Sequence, residues 1–460
     1  MFIMSWYAQD NVSTLETRRD EWDRGDMGPI RERLGSAILL LTMPLLLMAC
    51  GAQQAESPSA LEGTPTLTPR AGAGGMVTLT RAASTRLGGT PTPDAGGVPT
   101  AADAPRLLQL TWQGYTRDEI QADGRVIDHQ RTGVSTSEGQ SYALLRAVWM
   151  DDRPTFARVW AWTHDNLQVR SDRLFGYLWG RRPDGRWTIL STDSATDADE
   201  DIALAMLFAA HRWHERGYLA EAQAIAQDIW RREVVTVQGV PYLTAGNWAP
   251  SYTTPGPALD PSYFAPYVYR LFARIDPARP WSRLVASSYD ALNACSTMPL
   301  SAGRSVGLPP NWCALRAGTR TVVAIPRFAT ADDYGYDAFR AMWRAALDAI
   351  WNGDPRAKAY LNHSSFLRTQ WRERGALTSY THAGKAAGPE IPLFYGGDIG
   401  AFVVSDPAAA KVILLDKLLP LFHQSDGVAY WAQRYNYYEQ NWVWFGVALA
   451  SSRLPNLASP

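Results

Sequence analysis

Cysteine is scarce in this chain of 460 residues, which contains only Cys50, Cys295 and Cys313. Three cysteines at these spacings form no metal-binding cluster, so the sequence predicts neither a metal site nor a cofactor. Cys295 and Cys313 could pair if the chain is exported, but a sequence does not fix the geometry that a disulfide needs. Both states of these two cysteines therefore remain open at this point.

Net charge is nearly absent as well. The chain has 44 Lys and Arg against 45 Asp and Glu, a formal charge of −1, which argues against an electrostatic nucleic-acid binder. Aromatic residues, in contrast, are abundant, with 19 Trp and 20 Tyr. Such rings either fill a large core or line a groove and stack on flat ligand faces, and the neutral charge favours sugars over bases as that ligand.

The segment RERLGSAILLLTMPLLLMACG, residues 31–51, has a basic start, an uncharged apolar stretch and a close of small residues. This is the layout of an export signal, and its end resembles a bacterial lipoprotein signal in which Cys50 becomes the lipidated first residue. A plain membrane anchor is the alternative, but the stretch is short for a bilayer and contains Pro44. We expect residues 1–50 to be an N-terminal extension and signal, and the rest to be exported, either secreted or membrane-anchored through lipid.

The remaining sequence divides into two parts of different composition. Residues 51–104 are rich in Gly, Pro, Thr and Ala, which predicts a disordered linker. Residues 105–460 show apolar positions at helical spacing, with short β-like pieces at RWTILS and VVTVQGVPYLTAG. We predict one all-α domain of ten to twelve helices in antiparallel pairs, closed into a ring, with the N-terminal ends of the inner helices at one concave mouth.

Acids stand at three predicted helix entrances: Glu138 in STSEGQ, Asp197 in SATDADEDIA and Asp337 in YGYDAFR. Helix capping and the helix dipole explain any one of them alone. Taken together they fit the cleavage of a glycosidic bond, which needs one acid to protonate the leaving oxygen and one carboxylate to activate water or attack carbon. A glutamate among aromatics suits the acid, and an aspartate beside Arg340 stays ionised and suits the base. Glu200 is expected on a solvated face, and Asp201 beside a basic group.

Several motifs in one order carry a family resemblance. GRVIDHQRTGVSTSEGQSYALLRAV, ATDADEDIALAMLFAAHRW, PSYFAPYVYRLF, YGYDAFRAMWR and YYEQNWVWFG resemble glycoside hydrolase family 8, which holds endoglucanases, chitosanases, lichenases and some xylanases. The resemblance covers residues 105–460 and implies an (α/α)6 barrel with a few short β segments and an inverting mechanism. It implies Glu138 as proton donor, Asp337 as base and Asp197 as the acid that holds and helps distort the sugar, with Asp199 supporting them from behind.

Candidate sugar-binding residues lie near these motifs: Tyr142, Trp248, Tyr252, Tyr336, Arg340 and Trp112. The resemblance favours an endo-acting hydrolase of β-1,4-linked glucan without a cofactor. A chitosanase or xylanase of the same family, or a non-catalytic glycan-binding protein, remains as an alternative. For an inverting pair, the Glu138 and Asp337 carboxyls should stand roughly 6.5–9.5 Å apart to admit a water.

Overall fold

The structure is a computed structural model that describes residues 99–326 and 330–458. The predicted signal, Cys50 and almost all of the predicted linker lie outside the described residues. None of the described helices is both long and apolar enough to cross a membrane. The boundary predicted at residue 105 falls at the start of the first α-helix, which begins at Ala104.

Two concentric sets of helices build the described part of the chain. Buried inner helices are rich in Ala, Gly and aromatic residues, whereas the outer helices turn a polar face to solvent. The inner set is α2 (Ser137–Trp149), α4 (Thr196–Trp213), α6 (Pro266–Ile275), α8 (Arg340–Asn352), α11 (Pro392–Ser405) and α13 (Tyr437–Ala450). The outer set is α1 (Ala104–Asp118), α3 (Arg153–Leu167), α5 (Arg216–Arg232), α7 (Trp281–Thr297), α9 (Pro355–His363), α10 (Ser365–Arg374) and α12 (Pro407–Ile413).

Contacts between neighbouring helices close these elements into a ring. Helix α2 packs on α4, α8 packs on both α6 and α11, and α11 packs on α13. Helix α13 in turn contacts α1 and α2, which brings the last of the described helices back to the first ones. The result is an (α/α)6 barrel, which confirms the fold class predicted from the sequence.

The connections between helices differ greatly in length on the two faces of the barrel. Links that leave an inner helix are short: residues 150–152, 214–215, 276–280, 353–354 and 406. Links that enter an inner helix are long: residues 119–136, 168–195, 233–265, 298–339, 375–391 and 414–436. The long links surround the N-terminal ends of the inner helices, so they form the walls of the predicted mouth. We call this side the mouth face.

All the named strands lie in these long links. Antiparallel sheets join β1 (Ser135–Thr136) to β2 (Leu178–Arg181) and β3 (Trp187–Ser191), and β6 (Ala258–Leu259) to β7 (Cys313–Leu315) and β8 (Val322–Val323). Two hairpins are β4 (Val234–Val237) with β5 (Val240–Leu243) and β9 (Phe422–Ser425) with β10 (Val428–Trp431). The predicted β-pieces are β3 and the β4–β5 hairpin.

A disulfide joins Cys295, near the end of α7, to Cys313 at the start of β7. Both residues are fully buried. The pairing that the sequence left open is therefore present, and it ties the outer layer of the barrel to a link of the mouth face.

Candidate active site

Three inner helices bring the three predicted acids to one point. Glu138 lies in the first turn of α2, Asp197 lies in the first turn of α4, and Asp337 lies in the turn just before α8. The point where they meet is the guanidinium of Arg340, the first residue of α8. Acids separated by as many as 199 positions in the chain therefore share one partner, because the inner helices all begin at the mouth face.

Arg340 binds all three acids through its two terminal nitrogens. Nη1 donates to Glu138 Oε2 at 2.9 Å and to Asp197 Oδ2 at 2.8 Å. Nη2 donates to Asp337 Oδ1 at 3.1 Å. The side chain of Arg340 is only 1% exposed, while those of Glu138 and Asp337 are 22% and 19% exposed. The guanidinium is thus the buried floor of the site, and the two predicted catalytic acids reach toward the opening.

None of the three acids caps its helix. The cap of α2 is Thr136, whose hydroxyl accepts from the backbone N–H of Gly139 at 3.0 Å. The starts of α4 and α8 have no side-chain cap. The capping interpretation, adequate for each acid alone, therefore fails for all of them.

A fourth acid, Asp260, belongs to the same cluster and was not predicted. Its Oδ2 lies 3.7 Å from Arg340 Nη2, and its Oδ1 accepts from the backbone N–H of Ser262 at 2.8 Å. The ring of Tyr263 also lies against the guanidinium, 5.2 Å from centroid to carbon. Tyr263 lies within the PSYF motif and Asp260 directly precedes it, so an acid directly before a family motif was the signal available in the sequence.

Four carboxyl groups around one guanidinium cannot all ionise cheaply away from water. Burial raises the pKa of Glu138 to about 7, although Arg340 and the Tyr437 hydroxyl, which donates to Oε1 at 3.0 Å, favour its charged form. Burial and the neighbouring Asp337 raise the pKa of Asp260 well above its usual range. In the described part of the chain, no group of three or more His, Cys, Asp or Glu is arranged to hold a metal ion.

The pKa of Asp337 also lies above its ordinary value, which differs from the expectation that Arg340 keeps it low. Burial is the largest cause, and the charge of Asp197 adds to it. Arg340 and the indole N–H of Trp312, which donates to Oδ2 at 3.2 Å, both favour the ionised form but do not outweigh burial. The expectation considered the attraction of Arg340 for the carboxylate but not the cost of burying its charge.

Asn311 fixes the turn that carries Asp337. Its Oδ1 accepts from the backbone N–H groups of Gly335, Asp337 and Ala338 at 3.2, 3.2 and 3.1 Å. Trp312, the next residue, donates to the carboxylate itself. Sequence reasoning missed both residues because they lie far from the acid motif, in a link without regular periodicity.

The other acids of the TDADED run lie behind the cluster. Asp199 is buried, accepts from the backbone N–H of Phe175 at 2.9 Å and faces Glu233, and burial raises its pKa well above the usual range. This placement is compatible with the predicted supporting role. Asp201 pairs with Arg344 at 3.0 and 2.9 Å, as expected. Glu200 is fully buried, so its predicted solvated position is wrong, because α4 is an inner helix surrounded by protein.

Some predicted sugar-binding aromatics line the approach to the cluster. Trp248 is half-buried, with its ring 6.1 Å from Tyr252 and 6.2 Å from Trp312. Tyr336 is also half-buried, and its backbone carbonyl accepts from the Tyr438 hydroxyl at 2.7 Å. Trp248 and Tyr252 therefore form an aromatic row that leads through Trp312 to Asp337.

Two other predicted sugar-binding residues require correction. Trp112 is 1% exposed in α1, and its indole N–H donates to Asp152 at 3.0 Å. It is a core residue, because the apolar face of α1 packs inward. Tyr142 is likewise 1% exposed and packs edge-on against Trp442. Its ring cannot stack on a sugar, although its hydroxyl lies 3.5 Å from Arg340 Nη1.

Comparison with known proteins places this geometry in a family. The endoglucanase of Pseudomonas fluorescens (strain SBW25) is 32% identical over 264 residues, 54% of this chain and 62% of that protein. The endoglucanase of Xanthomonas axonopodis pv. citri is 35% identical over 250 residues, 53% of this chain and 61% of that protein. The matched segment thus spans about three fifths of either relative.

A solved structure shares the fold. The β-1,3-1,4-glucanase from Paenibacillus sp. X4 superposes with a TM-score of 0.64 at 22% identity, covering 77% of this chain and 93% of that chain. The model of the family described as "Glycosyl hydrolases family 8" matches residues 99–394, which include all four acids of the cluster and Arg340. The chain therefore belongs to glycosyl hydrolase family 8.

Proposed function

We propose that the chain is an endo-acting hydrolase of β-1,4-linked glucan that inverts the anomeric centre. The observation that carries the proposal is the single guanidinium of Arg340, which holds Glu138, Asp197 and Asp337 together at the mouth face. Family membership supports the reaction class, and both curated relatives are named endoglucanases. A glycan-binding protein without activity would not need two partly exposed acids beside a buried third.

The two partly exposed acids fit the two halves of an inverting step. Glu138, with its pKa raised to about 7, remains protonated to near neutrality and gives its proton to the glycosidic oxygen as the C1–O bond breaks. Ionised Asp337 takes a proton from a water, whose oxygen forms the new bond to C1 from the opposite face. The two carboxyls bind different nitrogens of Arg340, and the step requires them to stand roughly 6.5–9.5 Å apart.

Asp197 fits the predicted role of holding the sugar at the cleavage point. Its Oδ2 is fixed by Arg340, while its buried Oδ1 accepts no hydrogen bond from the described protein residues. A buried carboxylate oxygen without a partner is costly unless something satisfies it. A sugar hydroxyl would do so, and the strength of that bond would help hold a distorted ring.

The reaction and its substrate are tested together by a reducing-sugar assay on the folded domain. Carboxymethyl cellulose, lichenan, chitosan and xylan are compared, with Glu138→Gln as the control. We expect activity on a β-1,4-glucan and loss of that activity in the variant. Activity confined to chitosan or xylan would replace the substrate proposal, and binding without any hydrolysis would support the glycan-binding alternative.

The pH dependence of kcat/KM should show two limbs. The proton donor must be protonated, so activity should fall by about tenfold per pH unit above the pKa of Glu138, about 7. The base must be ionised, so activity should fall on the acid side, at a higher pH than for an exposed aspartate because burial raises the pKa of Asp337. A profile that stays flat from pH 6 to 9 would contradict the assignment of Glu138.

Trp248→Ala should weaken the binding of long chains more than it slows their cleavage, because the ring lies in the aromatic row beside Trp312, and it is Trp312 that donates to Asp337. We expect KM for carboxymethyl cellulose to rise about three- to tenfold while kcat changes less than twofold. Trp230→Ala, a partly buried tryptophan packed edge-on against Trp281, is the control for the loss of a structural ring. If Trp248→Ala unfolds the domain, the ring is structural.

We also propose that Cys50 carries lipid and anchors an exported domain. The residue pattern at 47–51 supports this proposal, and the buried disulfide between Cys295 and Cys313 fits an oxidising compartment. Cys50→Ser should release the protein from membranes into the soluble fraction. Equal partition of both forms, measured by detergent phase separation, would reject the anchor.

A further inference from the structure

An exposed tryptophan stands on the mouth face, apart from the acid cluster. Trp187 at the start of β3 is 44% exposed, and no other tryptophan in the described part of the chain is as open to solvent. Burial normally removes a ring of this size from water. An exposed position at the side of the barrel where substrate enters therefore calls for an explanation.

The ring of Trp187 is packed on one side. It stacks on Trp179 with centroids 5.0 Å apart and an angle of 17° between the planes. The guanidinium of Arg125 lies 4.9 Å from the centroid of each ring, and Trp162 packs edge-on behind Trp179 at 5.3 Å. Stacking covers one face of Trp187, and the exposed fraction is consistent with an open second face. A preoriented flat surface loses little conformational entropy when a ligand binds.

The strand that carries Trp187 is coupled to the helix of the predicted proton donor. Strand β3 pairs with β2, and β2 pairs with β1. In the second pair, Ser135 of β1 lies opposite Trp179 of β2. Strand β1 ends at Thr136, which caps α2 two residues before Glu138. The backbone N–H of Ser137 also donates to the carbonyl of Tyr177 at 3.1 Å, just before β2. The sheet β1–β2–β3 is therefore connected by hydrogen bonds to the start of the helix that carries Glu138.

We propose that Trp187 is a sugar-binding platform that holds a distal unit of the same β-linked glucan chain whose scissile bond lies at Glu138 and Asp337. The proposal rests on the proposed function. The apolar C–H face of a β-linked glucose matches the open face of the indole, and the neutral polymer needs no charged partner there. The exposed Arg181 and Arg186 at the same hairpin provide N–H donors for sugar hydroxyls at its edge. A chain long enough to reach from the acids to β3 gains this contact, and a short oligosaccharide does not.

Affinity as a function of chain length tests the platform. Trp187→Ala and Trp187→Phe are made in the Glu138→Gln background, and binding of cellotriose, cellohexaose and a soluble β-glucan is measured by calorimetry and affinity electrophoresis. Ile350→Ala, which removes a side chain 50% exposed on α8, is the control. We expect Trp187→Ala to weaken binding of the polymer about three- to tenfold, to leave cellotriose unchanged, and to be partly rescued by Trp187→Phe.

The outcomes separate this proposal from the proposed function. If the unsubstituted enzyme hydrolyses a β-glucan but adding Trp187→Ala to Glu138→Gln leaves the binding of every chain length unchanged, the platform is rejected while the proposed function stands. If the unsubstituted enzyme neither binds nor cleaves any β-glucan, the proposed function is rejected, and the platform with it. If Trp187→Ala lowers the thermal stability and weakens the binding of short and long chains equally, the ring has a structural role and the platform is rejected. A change in the mass measured by light scattering would assign it to a contact between copies and also overturn the platform.

Discussion

Glu138→Gln should lower the hydrolysis of a natural β-glucan by about 10²- to 10⁴-fold while leaving the fold and oligosaccharide binding intact. Glutamine has nearly the shape of glutamate and can still bond to Arg340 and Tyr437, but it has no proton to donate at a pKa near 7. The site thus keeps its contacts and loses its acid. Initial rates, melting temperature and affinity for a cello-oligosaccharide measure these three properties.

An activated substrate makes this prediction specific to proton donation. Fluoride departs without protonation, so hydrolysis of β-cellobiosyl fluoride should survive in Glu138→Gln and be lost in Asp337→Asn, which lacks the base. Glu119→Gln is the matched control, because Glu119 is also buried and its pKa is also raised, to about 8, but it lies outside the cluster. Equal loss on both substrates in Glu138→Gln would make Glu138 a binding or structural residue.

Arg340→Met should be the most damaging single substitution for stability at neutral pH. It removes the cation with which Glu138, Asp197 and Asp337 all pair, and breaking a buried ion pair on one side costs about 3–5 kcal/mol. The pKa values of Glu138 and Asp337 should rise further, so the folded state keeps protons that the unfolded state releases above pH 4 or so. The stability deficit should therefore grow from acid toward neutral pH, which denaturant unfolding at several pH values measures.

Arg344→Met provides the comparison. Arg344 lies one turn further along α8, pairs with Asp201 and donates to the Tyr267 hydroxyl. Its loss should also destabilise the protein but should leave the pH limbs of activity in place. Arg340→Met should shift both limbs upward if any activity remains. If Arg340→Met is as stable as the parent at pH 7, the guanidinium does not hold the cluster as described.

The sequence was informative where short motifs carry the chemistry. Glu138, Asp197 and Asp337 each stand in a compact motif, and their convergence follows once the inner helices begin at one face. The sequence was less informative where burial decides. Trp112 and the carboxylate of Glu200 are buried by the second layer of helices, and a pattern along one helix does not reveal how many layers surround it.

Close backbone packing explains why the inner helix α11 is difficult to predict from the sequence. Helix α11 contains three glycines, which weaken a helical pattern read from sequence. In the structure, a Cβ on Gly396 would lie 2.2 Å from the carbonyl oxygen of Trp442 in α13, and one on Gly400 would lie 2.4 Å from that of Met342 in α8. The glycines are there so that three inner helices can approach closely, a requirement of tertiary packing that local propensity does not contain.

Asp260 and Asn311 show a further limit. Both contact residues that are distant in the chain. Asp260 lies beside Arg340, and Asn311 binds the turn before α8. Neither stands in a periodic segment, and their roles depend on how long, irregular links fold over the helix ends. Long links of this kind carry function while their sequences say little about their path.

The central claim, single-step hydrolysis by Glu138 and Asp337 with water between them, is tested most directly by the anomer that forms first. Proton NMR of the early products from a soluble β-1,4-linked oligosaccharide follows the α and β anomeric signals before mutarotation mixes them. Inversion predicts that the α anomer accumulates first, and that its formation is lost in both Glu138→Gln and Asp337→Asn. A β anomer as the first product would show retention through a covalent intermediate and would contradict the assignment of Asp337 as the base.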